Sequence, residues 1–163
     1  AEAEGRCEEA RQRLINTVEW ARTAQELPLL ARSLYHLAAM ERNPAIKRDR
    51  LLEAYKFANA VGNGRGMLSC LQRMGILEMS MGRPEKARKP WMDAVNLARR
   101  IGELDFLMTS LGLMAILEVM AGNRLGADEY LRQMDEIAER ANDPELIALA
   151  KDQRKRVDDL PQR

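Results

Sequence analysis

A chain of 163 residues with 46% hydrophobic and 31% charged residues has the material for one globular core and a well-solvated surface. Its net charge is +1, and its basic stretches, Lys47-Arg48-Asp49-Arg50 and Lys151 to Arg156, are diluted with acids, which argues against a nucleic-acid binder working through phosphate charge. Aromatics make up only 4%, while Leu, Ala, Met, Arg and Glu dominate, so helix formers abound and little is left for a sheet.

The start of the chain, Ala1-Glu2-Ala3-Glu4, is acidic and lacks the basic and apolar segments of a secretion signal. No run of about 18 apolar residues follows anywhere, so no membrane span is expected and a cytoplasmic location is. A leading helix is predicted over residues 6–25. A first helical hairpin follows over 28–61, opened by Pro28, whose missing N–H costs nothing at a helix start. Its turn lies around Asn43-Pro44-Ala45. A second hairpin covers 64–101 and a third 104–141. Gly82 and Gly122 separate the two helices of these hairpins. Gly62, Gly102 and Asn142 close the second helices, where the backbone turns left-handed and a Cβ is costly. Pro84 sits at a helix start, whereas Pro90 falls inside the second helix of the middle hairpin and should kink it or delay its start. A closing helix runs over 144–158, with Asp143 as N-cap before Pro144. The prediction is therefore eight helices forming a single all-α domain over residues 1–163.

These elements repeat. Residues 67–106 align without gaps on residues 107–146, a shift of 40. Met74-Gly75-Ile76-Leu77-Glu78 then falls on Met114-Ala115-Ile116-Leu117-Glu118, Gly82 on Gly122, Ala87 on Ala127, Ala98 on Ala138 and Arg100 on Arg140. A third copy lies upstream at a shift of 77, with Glu26, Leu27, Leu30, Ser33 and Leu34 matching Glu103, Leu104, Leu107, Ser110 and Leu111. Its turn is three residues shorter, after which Ala54, Ala58, Val61 and Gly62 match Ala94, Ala98, Ile101 and Gly102. Two helices pack closely only where a crossing position is small, which gives Ala38, Gly75 and Ala115, with Ala54, Ala87, Ala94 and Ala127, a structural purpose. Trp91, Leu97 and Leu131 are the larger residues expected to fill the spaces between repeats.

The repeated residues resemble the tetratricopeptide repeat family. Its signature places a small residue eight positions into the first helix and Ala at positions 20 and 27. Gly75, Ala87 and Ala94 match that spacing, as do Ala115 and Ala127, with Met134 replacing the last Ala. The 40-residue period is similar to the longer subtype of many signalling and regulatory proteins. The chain departs from the family in carrying Glu41, Glu78 and Glu118 where a large aromatic is usual. The resemblance covers about residues 26–146. It implies a right-handed superhelix of stacked antiparallel hairpins, a TPR-like α-solenoid, whose concave groove takes a peptide or a partner helix.

Carried over position by position, the groove implied by the resemblance is lined by Arg32, Tyr35, Ala39 and Arg42 from the first hairpin. The second supplies Ser69, Gln72, Ile76 and Met79, and the third Thr109, Gly112, Ile116 and Val119. One end is cationic with a Tyr; the other is apolar, with Gly112 letting a partner backbone come close. A segment with apolar anchors and an acidic group near Arg32 and Arg42 is the expected ligand, held in the helix-in-groove manner. The competing expectation is that Ile76, Ile116 and Val119 are covered by the chain's own neighbours or by a second copy in a homodimer. Gln72, Ile76, Gly112 and Ile116 do not supply the Lys and Asn of the family's heat-shock carboxylate clamp.

The remaining chemistry-bearing residues are read as structural. Glu41, Glu78 and Glu118 would sit about one helix spacing apart, roughly 8–10 Å, too far to share a metal, so ion pairs with neighbouring Arg or Lys are expected. His36 is the only histidine and has no nucleophile at a recognisable spacing. Cys7 and Cys70 lack metal-ligand spacing and read as buried or idle thiols. Trp20 and Trp91 fall at core-type positions, and most methionines are core filler. No phosphate loop, nucleophile elbow or dinucleotide fingerprint appears, so no enzyme, cofactor or metal is expected. The function that follows is a scaffold, adaptor or chaperone-like module binding a protein or peptide. The alternatives are a peptide- or metabolite-sensing regulatory domain of a larger signalling protein and a self-assembling structural protein. The polar closing helix argues against endless stacking.

Overall fold

The computed structural model describes residues 2–161, with side chains from Gly5 onward, so most of the acidic start lies outside the described side chains. The described residues form eight α-helices and no strand: α1 (Glu2–Thr23), α2 (Leu27–Met40), α3 (Pro44–Ala60), α4 (Gly64–Ser80), α5 (Pro84–Ile101), α6 (Leu104–Met120), α7 (Arg124–Ala141) and α8 (Pro144–Asp158). The fold class is all-α, as the composition requires. No helix among the described residues is long and apolar enough to cross a membrane.

The turns between helices share one construction. Gly62, Gly82, Gly102 and Gly122 have φ between 67° and 76°, and Asn142 has φ 50°. At each of the four glycines the next residue's N–H reaches back five positions: Asn63 to the Ala58 carbonyl, Arg83 to Glu78, Glu103 to Ala98 and Asn123 to Glu118. This 6→1 bond satisfies a carbonyl that the helix end would otherwise orphan. The turn after α1 uses it too, with Glu26 N–H bonded to the Ala21 carbonyl, but the left-handed position is held by Gln25 at φ 58°. The α2–α3 turn is different and shorter. Glu41 is extended, Asn43 caps α3 by accepting from the N–H groups of Ala45 and Ile46, and Pro44 opens the helix.

Pro90 does not delay α5, which begins at Pro84. It is carried inside the helix, where its absent N–H deprives the Lys86 carbonyl of its usual donor.

The chain packs as two compact units, Ala1–Leu77 and Glu78–Arg163. In the first, α2 packs against both α1 and α3. Its core gathers Val18, Ala21, Leu30, Leu34, Leu37, Ala54 and Cys70. An ion pair from Arg22 to Glu53, 2.6 Å, ties α1 to α3. Trp20 is not in this core; it is 59% exposed. The buried stripe of α1 runs through Val18 and Ala21, and at about 100° per residue Trp20 lies well round the helix from it.

In the second unit α6 packs against α5, α7 and α8. Its sequence is apolar almost all round, and it is buried on nearly every side, from Leu107 to Val119. Trp91, Met108, Leu111, Met114, Leu131 and Met134 are almost fully enclosed. The small residues sit where the repeat requires: Ala54, Ala87, Ala94, Ala98, Ala115 and Ala127 are inaccessible to solvent.

Two stability effects follow. Replacing Ala87 by Leu should overpack a closed site and cost about 1–3 kcal/mol, read as a lower urea midpoint. Gln25→Gly should act in the opposite direction, raising stability by about 0.5–1 kcal/mol because glycine enters the left-handed region without a Cβ clash. A lower melting temperature in that variant would contradict this account of the turn.

Candidate binding cleft

The first unit contains an open cleft of about 500 Å³. Its walls come from the first turns of α2 (Glu26, Pro28, Leu29, Arg32, Tyr35), from Ala54 and Ala58 on α3, and from Asn63, Gly66, Ser69 and Cys70 leading into and along α4. The sequence explains this shape. Alanines on α3 keep the floor low, and glycine at position 66 keeps a side chain out of the α4 wall: a Cβ there would come within 2.8 Å of Asn63 Nδ2 and 3.3 Å of the Ala58 methyl. Tyr35 is held in place by Arg73, whose Nε donates to the phenol oxygen at 3.2 Å while the guanidinium lies 5.6 Å from the ring centre. His36 stands edge-on to the same ring at 5.4 Å and is exposed.

Arg32, Tyr35 and Ser69, expected to face a groove, line this cleft together. Ala39 is exposed, Gln72 half-buried and Ile76 48% exposed. Arg42 is not on the first helix at all. α2 stops at Met40, because Glu41 turns extended and its carboxylate accepts the N–H groups of Arg42 (2.9 Å) and Asn43 (3.0 Å). In the second unit Met79, Thr109 and Ile116 are half-buried, and the Thr109 hydroxyl donates to the Asp105 carbonyl at 2.9 Å. Gly112 and Val119 are buried. The space over Gly112 is taken by Gln153 of α8, whose Oε1 would stand 2.8 Å from an added Cβ, so the chain's own closing helix fills the place pictured for a partner's backbone. Glu26, Asn63 and the α3 alanines were not anticipated as lining residues. The signal for Asn63 lay in the pattern Asn-x-x-Gly, which recurs at Asn123.

The glutamate ladder is paired. Glu41 meets Arg50 at 2.6 Å, Glu78 lies 3.1 Å from Arg83 Nε, and Glu118 is bonded by Arg88 and by Asn123 Nδ2 at 2.7 Å. No group of His, Cys, Asp and Glu among the described residues could hold a metal ion. Cys70 is buried on the cleft floor, and burial pushes its thiol pKa up to about 12. Cys7 is exposed. Neither a protein-family model nor a curated protein matches the chain.

The paired glutamates make stability pH-dependent. Burial pushes the Glu118 carboxyl up, but its bonds from Arg88 and Asn123 and the Arg88 charge outweigh this and leave it below 4.5. Glu41 is also lowered, chiefly by the Asn43 N–H, with Arg50 and Arg42 adding and burial opposing. A carboxyl with a depressed folded pKa stabilises fully above its unfolded value and loses that contribution as pH falls through the folded one. Glu118→Gln should therefore cost about 1–3 kcal/mol at neutral pH. The gap between wild type and variant should begin to narrow as pH falls below 4.5 and shrink further as the titrations are taken to more acid pH. A gap that is the same at acid and neutral pH would exclude the ion pair as its cause.

Proposed function

We propose that this chain is a protein-interaction module of the tetratricopeptide type. In this reading the hairpins stack as a right-handed superhelix and serve as a scaffold, adaptor or chaperone-like domain that catalyses no reaction. Support comes from the enclosed alanines of the repeat and from the packing of α1 on α2 and α2 on α3 in the first unit and of α5 to α8 in the second. One observation carries the reading: residues of two successive first helices, Arg32 and Tyr35 of α2 and Ser69 of α4, share one open cleft, and Ile76 stands half exposed further along α4. Cationic, aromatic and apolar groups presented together suit a peptide segment with an acidic group beside an apolar anchor. A volume of about 500 Å³ also falls in the range of small-molecule sites, which favours a peptide- or metabolite-sensing regulatory domain as the second reading.

The double variant Arg32→Glu/Ile76→Asp should retain its circular dichroism and melting behaviour, since both side chains are exposed. In affinity purification followed by mass spectrometry it should lose partners that the unaltered chain captures. Full retention of those partners by the folded double variant would reject the cleft as the recognition surface.

A further inference from the structure

The turns entering α4 and α7 share a left-handed glycine and an Asn-x-x-Gly cap, but the residue five places before the Asn is Ala58 in one and Glu118 in the other. Asn63 Oδ1 accepts the Gly66 N–H at 2.9 Å, and Asn123 Oδ1 accepts the Gly126 N–H at 3.1 Å. Each Asn returns its own N–H to the residue five places earlier, Ala58 in one case and Glu118 in the other, at 2.8 Å in both. The neighbours of the two glycines correspond as well. A Cβ at Gly66 would meet Asn63 Nδ2 and the Ala58 methyl, and one at Gly126 would meet Asn123 Nδ2 and Glu118 Oε2.

At the second turn the chain supplies its own carboxylate: Glu118 takes a hydrogen bond from Asn123 Nδ2 and an ion pair from Arg88. At the first turn the matching residue is Ala58, whose methyl offers no side-chain acceptor. The Asn63 amide N–H groups therefore have no acceptor among the described residues, and the same holds for the Arg32 guanidinium and the Ser69 hydroxyl. All three residues border the cleft. An amide donor and an arginine, which hold a carboxylate inside the second unit, thus stand beside an open cavity in the first.

We propose that the cleft seats a carboxylate carried on a short apolar stem. Arg32 ion-pairs with it, Asn63 Nδ2 and Ser69 Oγ donate to it, and the stem lies along Leu29, Tyr35 and the Ala58 methyl. Charge-assisted bonds from a guanidinium and an amide suit a carboxylate. Glu26 borders the same cleft and opposes any anion, a dianion such as a phosphate monoester about twice as strongly as a single carboxylate, which Arg32 offsets. The proposal rests on the peptide-binding reading above and gives it a chemical specificity.

The test uses the full chain, isotope-labelled and followed by NMR, with N-acetyl-Leu-Leu as the acid probe and its C-terminal amide as the neutral one. The acid should shift the signals of Arg32, Asn63 and Ser69 and bind at least about tenfold more tightly than the amide, the scale of one charge-assisted bond. Arg32→Gln should remove that preference. So should Asn63→Asp, which keeps a capping oxygen but replaces the donor with a negative charge. A third probe, 4-methylpentanoate, separates the sources: binding as tight as the dipeptide's would assign the seat to a free small acid, and weaker binding to a peptide. Equal affinity for acid and amide within the cleft would overturn the carboxylate seat while leaving peptide binding intact. No shift from either probe up to its solubility would also overturn the seat, and the partner-capture experiment then decides the broader reading on its own.

Discussion

A left-handed residue followed by an N–H that reaches back five positions is the closure on which this fold is built. It occurs at Gly62, Gly82, Gly102 and Gly122, and a left-handed Asn142 continues the series, so helix ends recur every twenty residues from α3 to α7. Helices α4 to α7 consequently have 17 or 18 residues each, about 26 Å. Within the second unit α5, α6 and α7 are of nearly equal length, and α6 packs on both of the others. Small residues can then meet at matching heights, and an apolar helix such as α6 can be covered on most of its surface. The α2–α3 turn has no left-handed residue among the described ones and is stabilised differently: a Glu41 carboxylate folded over two backbone N–H groups takes the place of the left-handed glycine.

Much of this was legible in the sequence because it depends on residue types with few substitutes. Only glycine or asparagine is readily accommodated at most of the left-handed positions, and only alanine or glycine at the closed crossings, so the forty-residue spacing of these residues carries the helix count and boundaries. The misreadings have a common origin. Trp20 reads as a core-type position, but the buried stripe of α1 runs through Val18 and Ala21, and Trp20 is off it. Gln25 adopts a conformation its type does not advertise, so α1 ends at Thr23 rather than at Gln25. Arg42 was counted along a helix that a side-chain carboxylate ends two residues earlier.

The site was legible in part for a similar reason. Position rules for the first helices found Arg32, Tyr35 and Ser69, which do share a cleft. They could not find Asn63, a turn residue, or Ala54 and Ala58, which matter for the bulk they lack. Nor could they foresee that Gln153 of α8 would lie over Gly112, because tertiary coverage of one helix by a distant one leaves no periodic trace. The comparison of Asn63 with Asn123 is more informative than either alone. One backbone design carries two outcomes, a carboxylate held within the chain in one unit and, in the other, donors with no acceptor among the described residues.

The contrast between the two thiols has a practical side. A cysteine reacts with electrophiles through its thiolate. With a pKa raised to about 12, Cys70 stays protonated at neutral pH and is shielded from solvent as well. Cys7 is open to reagents. Maleimide dyes should therefore attach near the start of α1 alone, giving a uniquely labelled protein for fluorescence work without any engineered cysteine.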